Sequence, residues 1–247
     1  MPTPPRAYKT RGVVLRARPL GEADRIVTLF TLDRGKVNAV AKGVRRARSH
    51  FAGRLEFANE CELLMHRGRS LDVIVSAEIS RAPWERMVEP ERYAVASLVA
   101  ELVDAFCEPE MALADVYELL TGALEAIART NAPRALLPRF SLRLLEMLGI
   151  GPPLFDCVRC GAPLREIPVW LDAESGGVID RGCRERWRDL PELEAGDLEN
   201  LRALGRPRNE GAALRATPAA AAAVEELIAH HLGRRPKASA HLDTLGA

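Results

Sequence analysis

Three runs near the start of the chain decide the fold: Arg11-Gly12-Val13-Val14-Leu15-Arg16-Ala17-Arg18, Arg25-Ile26-Val27-Thr28-Leu29-Phe30-Thr31-Leu32 and Lys36-Val37-Asn38-Ala39-Val40-Ala41-Lys42. Each is short and rich in β-branched and aliphatic residues, and the third alternates Val37, Ala39 and Ala41 on one face with Val40 on the other, the period-2 signature of a strand. Two further β-rich runs, Cys61 to His66 and Leu71 to Ile79, flank Arg67-Gly68-Arg69-Ser70, a tight-turn sequence. Five short strands, with a longer irregular connection from Gly43 to Glu60 between the third and fourth, fit a small closed barrel of the OB type over residues 1–81. An SH3-like barrel accounts for the pattern nearly as well, and periodicity alone favours the OB arrangement only slightly.

After Pro83 the period changes. Ala96, Val99, Leu102, Val103 and Phe106 recur at helical spacing within Arg92 to Phe106, and Leu113 to Ala128 and Leu136 to Leu148 repeat the pattern. A last helix is punctuated by Thr217 as N-cap, Pro218 at the first helical position and Gly233 as stop. His230 and His231 close it, where imidazolium charge suits the carbonyl end. Residues 151–189 carry neither period. The expected fold is therefore α+β and multidomain: an N-terminal OB-fold β-barrel (1–81), then an α-helical domain (82–150 and 190–233) with an inserted zinc-knuckle-like segment (151–189), and a flexible tail (234–247).

Composition excludes several classes. Of 247 residues 47% are hydrophobic, and 18 Gly with 17 Pro fall short of a disordered or collagenous chain. There is no run of apolar residues long enough to span a bilayer and no apolar h-region at the start, so the expected location is the cytoplasm. The net charge of +1 conceals an asymmetry: residues 1–81 carry +8, residues 82–150 carry −5 and residues 151–247 carry −2. A basic N-terminal third points to a polyanionic partner, of which nucleic acid is the usual one.

The window Arg34 to Leu55 concentrates that charge. It holds Arg34, Lys36, Lys42, Arg45, Arg46, Arg48 and Arg54 with no Asp or Glu, and Ser49, His50 and Phe51 are interleaved, offering a hydroxyl to phosphate and a ring on which a base could stack. Arg11, Arg16, Arg18 and Arg25 add to the same surface if the strands pair as expected.

Of the five cysteines, Cys61 and Cys107 stand alone in apolar segments and read as core residues. Cys157 and Cys160 form a C-x-x-C knuckle, and Asp180-Arg181-Gly182-Cys183 supplies a second x-x spaced couple with a carboxylate in place of a thiolate. Cys157, Cys160, Asp180 and Cys183 are thus candidate ligands of a structural zinc; the competing reading is a zinc-ribbon relic that keeps the fold without the metal. A catalytic zinc lacks its general base. No nucleophile elbow, phosphate-binding glycine loop or triad spacing occurs either, so no enzyme activity is expected. Trp84, Trp170 and Trp187 read as core or junction anchors.

The N-terminal run Thr10-Arg11-Gly12-Val13-Val14-Leu15, then Gly21-Glu22-Ala23-Asp24-Arg25-Ile26-Val27-Thr28-Leu29-Phe30-Thr31, Gly35-Lys36 and Val40-Ala41-Lys42-Gly43-Val44-Arg45-Arg46 with Ser49, resembles the RecO family of DNA repair proteins. The likeness continues through Leu55, Glu62-Leu63, Arg67-Gly68-Arg69 and Leu71 to Glu78, and resumes at Leu148-Gly149, the Cys157/Cys160 knuckle and Gly176-Gly177. The resemblance implies an OB-fold followed by a helical domain with a zinc knuckle, in a recombination mediator without turnover. It implies binding to single- and double-stranded DNA, annealing of strands coated by single-strand binding protein (SSB), and, with RecR, indirect help in loading RecA. Asp180 departs from the cysteine many members carry. SSB's acidic, apolar tail would dock on the helical domain, with Arg139 and Arg143 as candidate anchors. The alternative is a zinc-stapled OB-fold protein that binds RNA or the ribosome.

Overall fold

The computed structural model describes residues 7–46, 49–51, 53–185, 187–206 and 215–245. β1 (Ala7–Leu20) is long enough to serve two neighbours: its first half pairs with β4 (Glu60–His66) and its second with β2 (Asp24–Thr31), with a register shift between Val14 and Arg16 where the strand bends. β3 (Gly35–Ala41) follows β2 through a short turn, and β5 (Asp72–Arg81) returns antiparallel to β4. The barrel closes in the order β1-β2-β3-β5-β4 through a parallel contact, Ala39 beside Asp72 and Val40 beside Val73. That closure is the OB arrangement, so topology decides between two barrels that strand period alone leaves open. Val27, Leu29, Val37, Ala39, Leu63 and Met65 point inward and are all buried.

β2 is buried on its outer face as well, through Ile26, Thr28 and Phe30. What covers the β2–β3 face is α1 (Pro90–Phe106), α2 (Ala114–Arg129) and the segment between them. The ring of Tyr117 on α2 stacks 6.5 Å from Phe30, and its hydroxyl donates to the Glu60 carboxylate at 2.6 Å. Lys36 bridges to Pro109, and the Glu110 N–H donates to the Lys36 carbonyl at 3.1 Å. Gly35, at φ 61°, is required here: a Cβ would sit 1.8 Å from the Met111 carbonyl oxygen.

The compact units of the fold run across the expected boundary at residue 82. The chain forms two compact units, Met1–Pro133 with Lys237–Ala247, and Arg134–Pro236. α1 and α2 belong with the barrel because their apolar faces cover the outer side of β2. The 234–247 stretch expected to be a loose tail also differs, since α6 (Ser239–Leu245) lies within it. The Glu101 carboxylate on α1 accepts from the Lys237 and Ala238 N–H groups at 2.9 and 2.8 Å, and Leu242 is buried. A negative charge on the exposed N–H groups that lead into a helix is stabilising, and this long-range partner left no local trace in the sequence.

In the second unit α3 (Leu137–Met147), α4 (Ala195–Gly205) and α5 (Pro218–Leu232) accompany a three-stranded sheet of order β7-β6-β8, with β6 Val169–Asp172, β7 Gly177–Ile179 and β8 Glu192–Leu193. The Thr217 hydroxyl accepts from the Ala220 N–H at 3.2 Å, and Gly233 ends α5 at φ 66°, as their spacing predicts. The small sheet and α4 have no counterpart in the sequence expectations. Trp170 is a core residue, Trp187 is 81% exposed rather than an anchor, and the Trp84 side chain lies outside the described residues.

Candidate nucleic-acid interface and metal centre

The structure separates the basic residues that the sequence groups together. Arg16 forms an ion pair with Asp104 of α1 at 2.7 Å, and Lys36 approaches the same carboxylate at 3.6 Å while donating to the Asp104 carbonyl. Arg34 lies between Asp72 at 3.6 Å and Glu110 at 3.3 Å, with its guanidinium 4.6 Å from the centre of the Tyr8 ring. Lys36 and Arg34 are 14% and 15% exposed at the side chain, so both are tied into the packing of the first unit. The Tyr8 hydroxyl donates to Asp72 at 2.5 Å; burial, and then this bond, raise its pKa above the ordinary tyrosine value. The Arg34–Leu55 window is acid-free only in sequence, because Asp72 of β5, Asp104 of α1 and Glu110 of the α1–α2 connection all follow it in the chain.

The other end of β3 is different. Arg18 and Arg25 stand at the β1–β2 end of the barrel, where Pro19 pairs with Arg25, and Arg25 pairs with Ala41 next to Lys42. Arg45 reaches back to donate to the Gly21 carbonyl at 3.1 Å, and its own N–H bonds the Ala23 carbonyl, which fixes the β3–β4 connection against the β1–β2 turn. Arg18, Lys42, Arg45 and Arg46 are exposed, and among the described residues no carboxylate lies within ion-pair distance of any of them. Arg25 meets Glu56 at 3.5 Å, Asp24 is turned onto the Gly43 N–H at 2.8 Å, and Glu22 stands exposed in the turn. Five cations therefore line one rim.

The remaining candidates fall elsewhere. Arg11 is exposed on the first half of β1 opposite Glu62, and Arg54 pairs with Glu78 at 3.7 Å. The Ser49 hydroxyl accepts from the Phe51 N–H at 3.2 Å, and Arg48 lies outside the described residues. Phe51, expected as a stacking ring, is 2% exposed and part of the barrel core. Sequence reasoning passed over Arg67 and Arg69, exposed in the β4–β5 turn, one of the loops through which OB-folds meet oligonucleotides. Their Arg-Gly-Arg pattern enters the sequence reading as a turn and as part of the family likeness, not as a DNA contact.

Arg139 and Arg143 on α3 are not open anchors. Arg139 donates to the carbonyls of Leu204 at 3.1 Å and Arg206 at 2.9 Å, and Arg143 to that of Gly205 at 2.7 Å, so both close the C-terminal end of α4, where cations suit the helix dipole.

The four candidate ligands do converge. The Sγ atoms of Cys157, Cys160 and Cys183 and a carboxylate oxygen of Asp180 all lie within 4.8 Å of one another. Zinc–sulfur bonds of about 2.3 Å in a tetrahedron place sulfurs about 3.8 Å apart, so a small contraction would fit this donor set to a metal ion. Gly161 at φ 73° turns the knuckle, with its N–H on the Cys157 carbonyl at 2.8 Å, and the Val158 N–H bonds Val178 of β7 at 2.9 Å. On the other side the Cys183 N–H donates to the Asp180 carboxylate at 2.8 Å, and the Cys160 thiol lies 3.2 Å from its second oxygen. The Cys160 hydrogen bond holds the Asp180 carboxyl below the usual carboxylate range, while burial, reinforced by the neighbouring sulfurs, pushes the Cys183 thiol up to about 12. Behind the knuckle, Arg159 reaches the fully buried Asp172 at 2.6 Å, and Arg188 reaches it at 3.2 Å. Cys61 and Cys107 are buried in the first unit, as expected, with thiols pushed up by burial to about 12 and about 11.

The chain thus combines an OB barrel bearing a basic rim with a four-donor knuckle in a second unit, an arrangement to which the comparisons give a family. The family model for the recombination protein O N terminal matches residues 6–83, and that for its C terminal matches residues 87–240. The DNA repair protein RecO of Anaeromyxobacter sp. (strain K) is 39% identical over 249 residues, covering 96% of each chain. The DNA repair protein RecO of Bifidobacterium longum subsp. infantis is 43% identical over 175 residues, 70% of this chain and 72% of the relative. The chain belongs to the RecO family of DNA repair proteins. No helix among the described residues is long and apolar enough to cross a membrane.

Proposed function

We propose that this protein is a recombination mediator that binds single- and double-stranded DNA, anneals complementary strands coated by SSB, and with RecR helps load RecA, without catalytic turnover of its own. The observation that carries this reading is the rim of Arg18, Arg25, Lys42, Arg45 and Arg46, four of them unpaired with any carboxylate among the described residues. Annealing two polyanions requires that their repulsion be screened, and cations that hold a strand through its phosphates leave the base edges free to pair. No covalent step is needed. The family match gives the RNA-binding alternative no support.

The DNA-contacting set is Arg18, Arg25, Lys42, Arg45 and Arg46, joined by Arg67 and Arg69. Arg16, Arg34 and Lys36 serve the fold, since their charges are answered by Asp104, Asp72 and Glu110. The test is strand annealing of SSB-coated complementary oligonucleotides: the wild type accelerates it, and a Lys42→Ala/Arg45→Ala/Arg46→Ala variant loses that acceleration.

Cys157, Cys160, Asp180 and Cys183 would hold zinc as a structural staple, tying the knuckle to β7. Asp180→Cys would then slow the loss of zinc to a chelator, because thiolate is the softer ligand, and Cys157→Ser would lower the melting temperature of the second unit while leaving DNA affinity in place. Zinc-free protein with an unaltered Cys157→Ser melting curve would instead make the knuckle a relic.

A further inference from the structure

With Phe51 in the core, the barrel's exposed aromatic surface lies elsewhere. Phe57, in the β3–β4 connection that also carries Arg45 and Arg46, meets Tyr93 in the first turns of α1, ring centres 5.3 Å apart and planes at 62°. The two rings line a groove of 510 Å³ with Met87, Val88 and Pro90, a volume within the range of about 300–1,000 Å³ that small ligands occupy. Tyr93 is 52% exposed and Val88 81%, so this is an open apolar face rather than core. Ala58, immediately after Phe57, is buried at φ 65° with its N–H on the Val14 carbonyl at 2.9 Å, which anchors the backbone that presents the Phe57 ring.

The groove is continuous with the basic rim. Glu56, one of its lining residues, is the partner of Arg25, an exposed pair that a phosphate could readily exchange. Glu89, beside Val88, is likewise held by Arg92 at 2.8 Å. A cationic track leading to an exposed Tyr93 ring, backed by the half-buried Phe57, is the combination that single-stranded nucleic acid requires, since its bases are free to leave the backbone line and stack.

We propose that the Phe57–Tyr93 groove is a base-stacking site for single-stranded DNA, extending the phosphate contacts of the rim; this rests on the DNA-binding reading above. Duplex DNA, whose bases are already stacked, engages the rim and leaves the groove empty. The site gives the protein a preference between the two forms that charge alone does not provide.

The test measures the affinity of the full-length protein for oligo-dT, for a duplex of equal length and for an abasic oligomer of equal length. Tyr93→Ala should weaken oligo-dT binding about tenfold and leave duplex binding unchanged, while Tyr93→Phe restores it. The abasic oligomer should bind the unaltered protein about as weakly as oligo-dT binds the variant, a comparison that needs no substitution to fold. Equal loss for single strand and duplex, no loss at all, or abasic binding as tight as oligo-dT would overturn the stacking site while leaving the rim intact. Wild-type protein that binds none of the three would overturn the DNA-binding reading itself.

Discussion

The two ends of β3 carry the same kind of charge to opposite purposes. Toward its start, Arg34 and Lys36 are nearly buried, and acids from residues 72, 104 and 110 neutralise them. Beyond its end, Lys42, Arg45 and Arg46 stand exposed with no carboxylate partner among the described residues. In sequence the five form one acid-free basic window. A local charge count therefore measures neither exposure nor availability, because the neutralising groups arrive through tertiary packing.

The contrast can be broken first where charge is deepest. In the second unit Asp172 is fully buried between Arg159 and Arg188, and Asp172→Asn should cost about 3 kcal/mol in urea denaturation, the low end of the effect because Glu185 and Glu174 also face these guanidinium groups. Burial alone would raise the Asp172 pKa, but hydrogen bonds from Ser175 and Arg159 and the charge of Arg188 outweigh it and hold the carboxyl below the usual range. A depressed folded pKa contributes stability above the unfolded value of about 3.9, and that contribution disappears as the pH falls through the folded value. Wild-type melting temperature should therefore drop more steeply than that of Asp172→Asn as solutions are acidified below about pH 4.

Next in size is the inner end of the basic window. Asp104→Ala removes the carboxylate shared by Arg16 and Lys36, leaves Lys36 only the backbone carbonyl of residue 104, and should destabilise the first unit by about 1–2 kcal/mol, read by denaturant midpoint. Tyr8→Phe removes one hydrogen bond to Asp72 and should cost about 1 kcal/mol. The smallest stability effect belongs to the rim: Lys42→Ala, Arg45→Ala and Arg46→Ala should each stay within about 0.5 kcal/mol of the wild type. Comparable losses at both ends of β3 would erase the distinction.

The barrel was legible because its strands carry their own period, and the runs at Arg25–Leu32 and Lys36–Lys42 agree with β2 and β3 to within a residue at each end. Closure through β3 and β5 was not, since a two-pair parallel contact leaves no pattern in either strand. The convergence of Cys157, Cys160, Asp180 and Cys183 was legible from spacing, as two x-x couples on turns bring four donors together wherever the intervening sheet folds back. Which cations stay exposed and unpaired was only partly so. Arg16 and Arg45 have similar local sequences, and only the position of Asp104 on α1 separates their fates. Phe51 was misplaced for the same reason: whether its ring enters the barrel or faces outward depends on how the β3–β4 connection folds, and that connection has no period to read.

On the proposed function, the rim beyond β3, rather than the charged window as a whole, meets the DNA backbone. The most direct test is the salt dependence of oligo-dT affinity for the wild type, for Lys42→Ala/Arg45→Ala/Arg46→Ala and for Lys36→Met. If about four phosphates are neutralised, wild-type affinity should fall some fifty-fold between 50 and 200 mM salt. The rim variant should lose about two units of the log–log slope, and Lys36→Met should retain the wild-type slope. A rim variant with the wild-type slope, or an equal loss in Lys36→Met, would contradict the account.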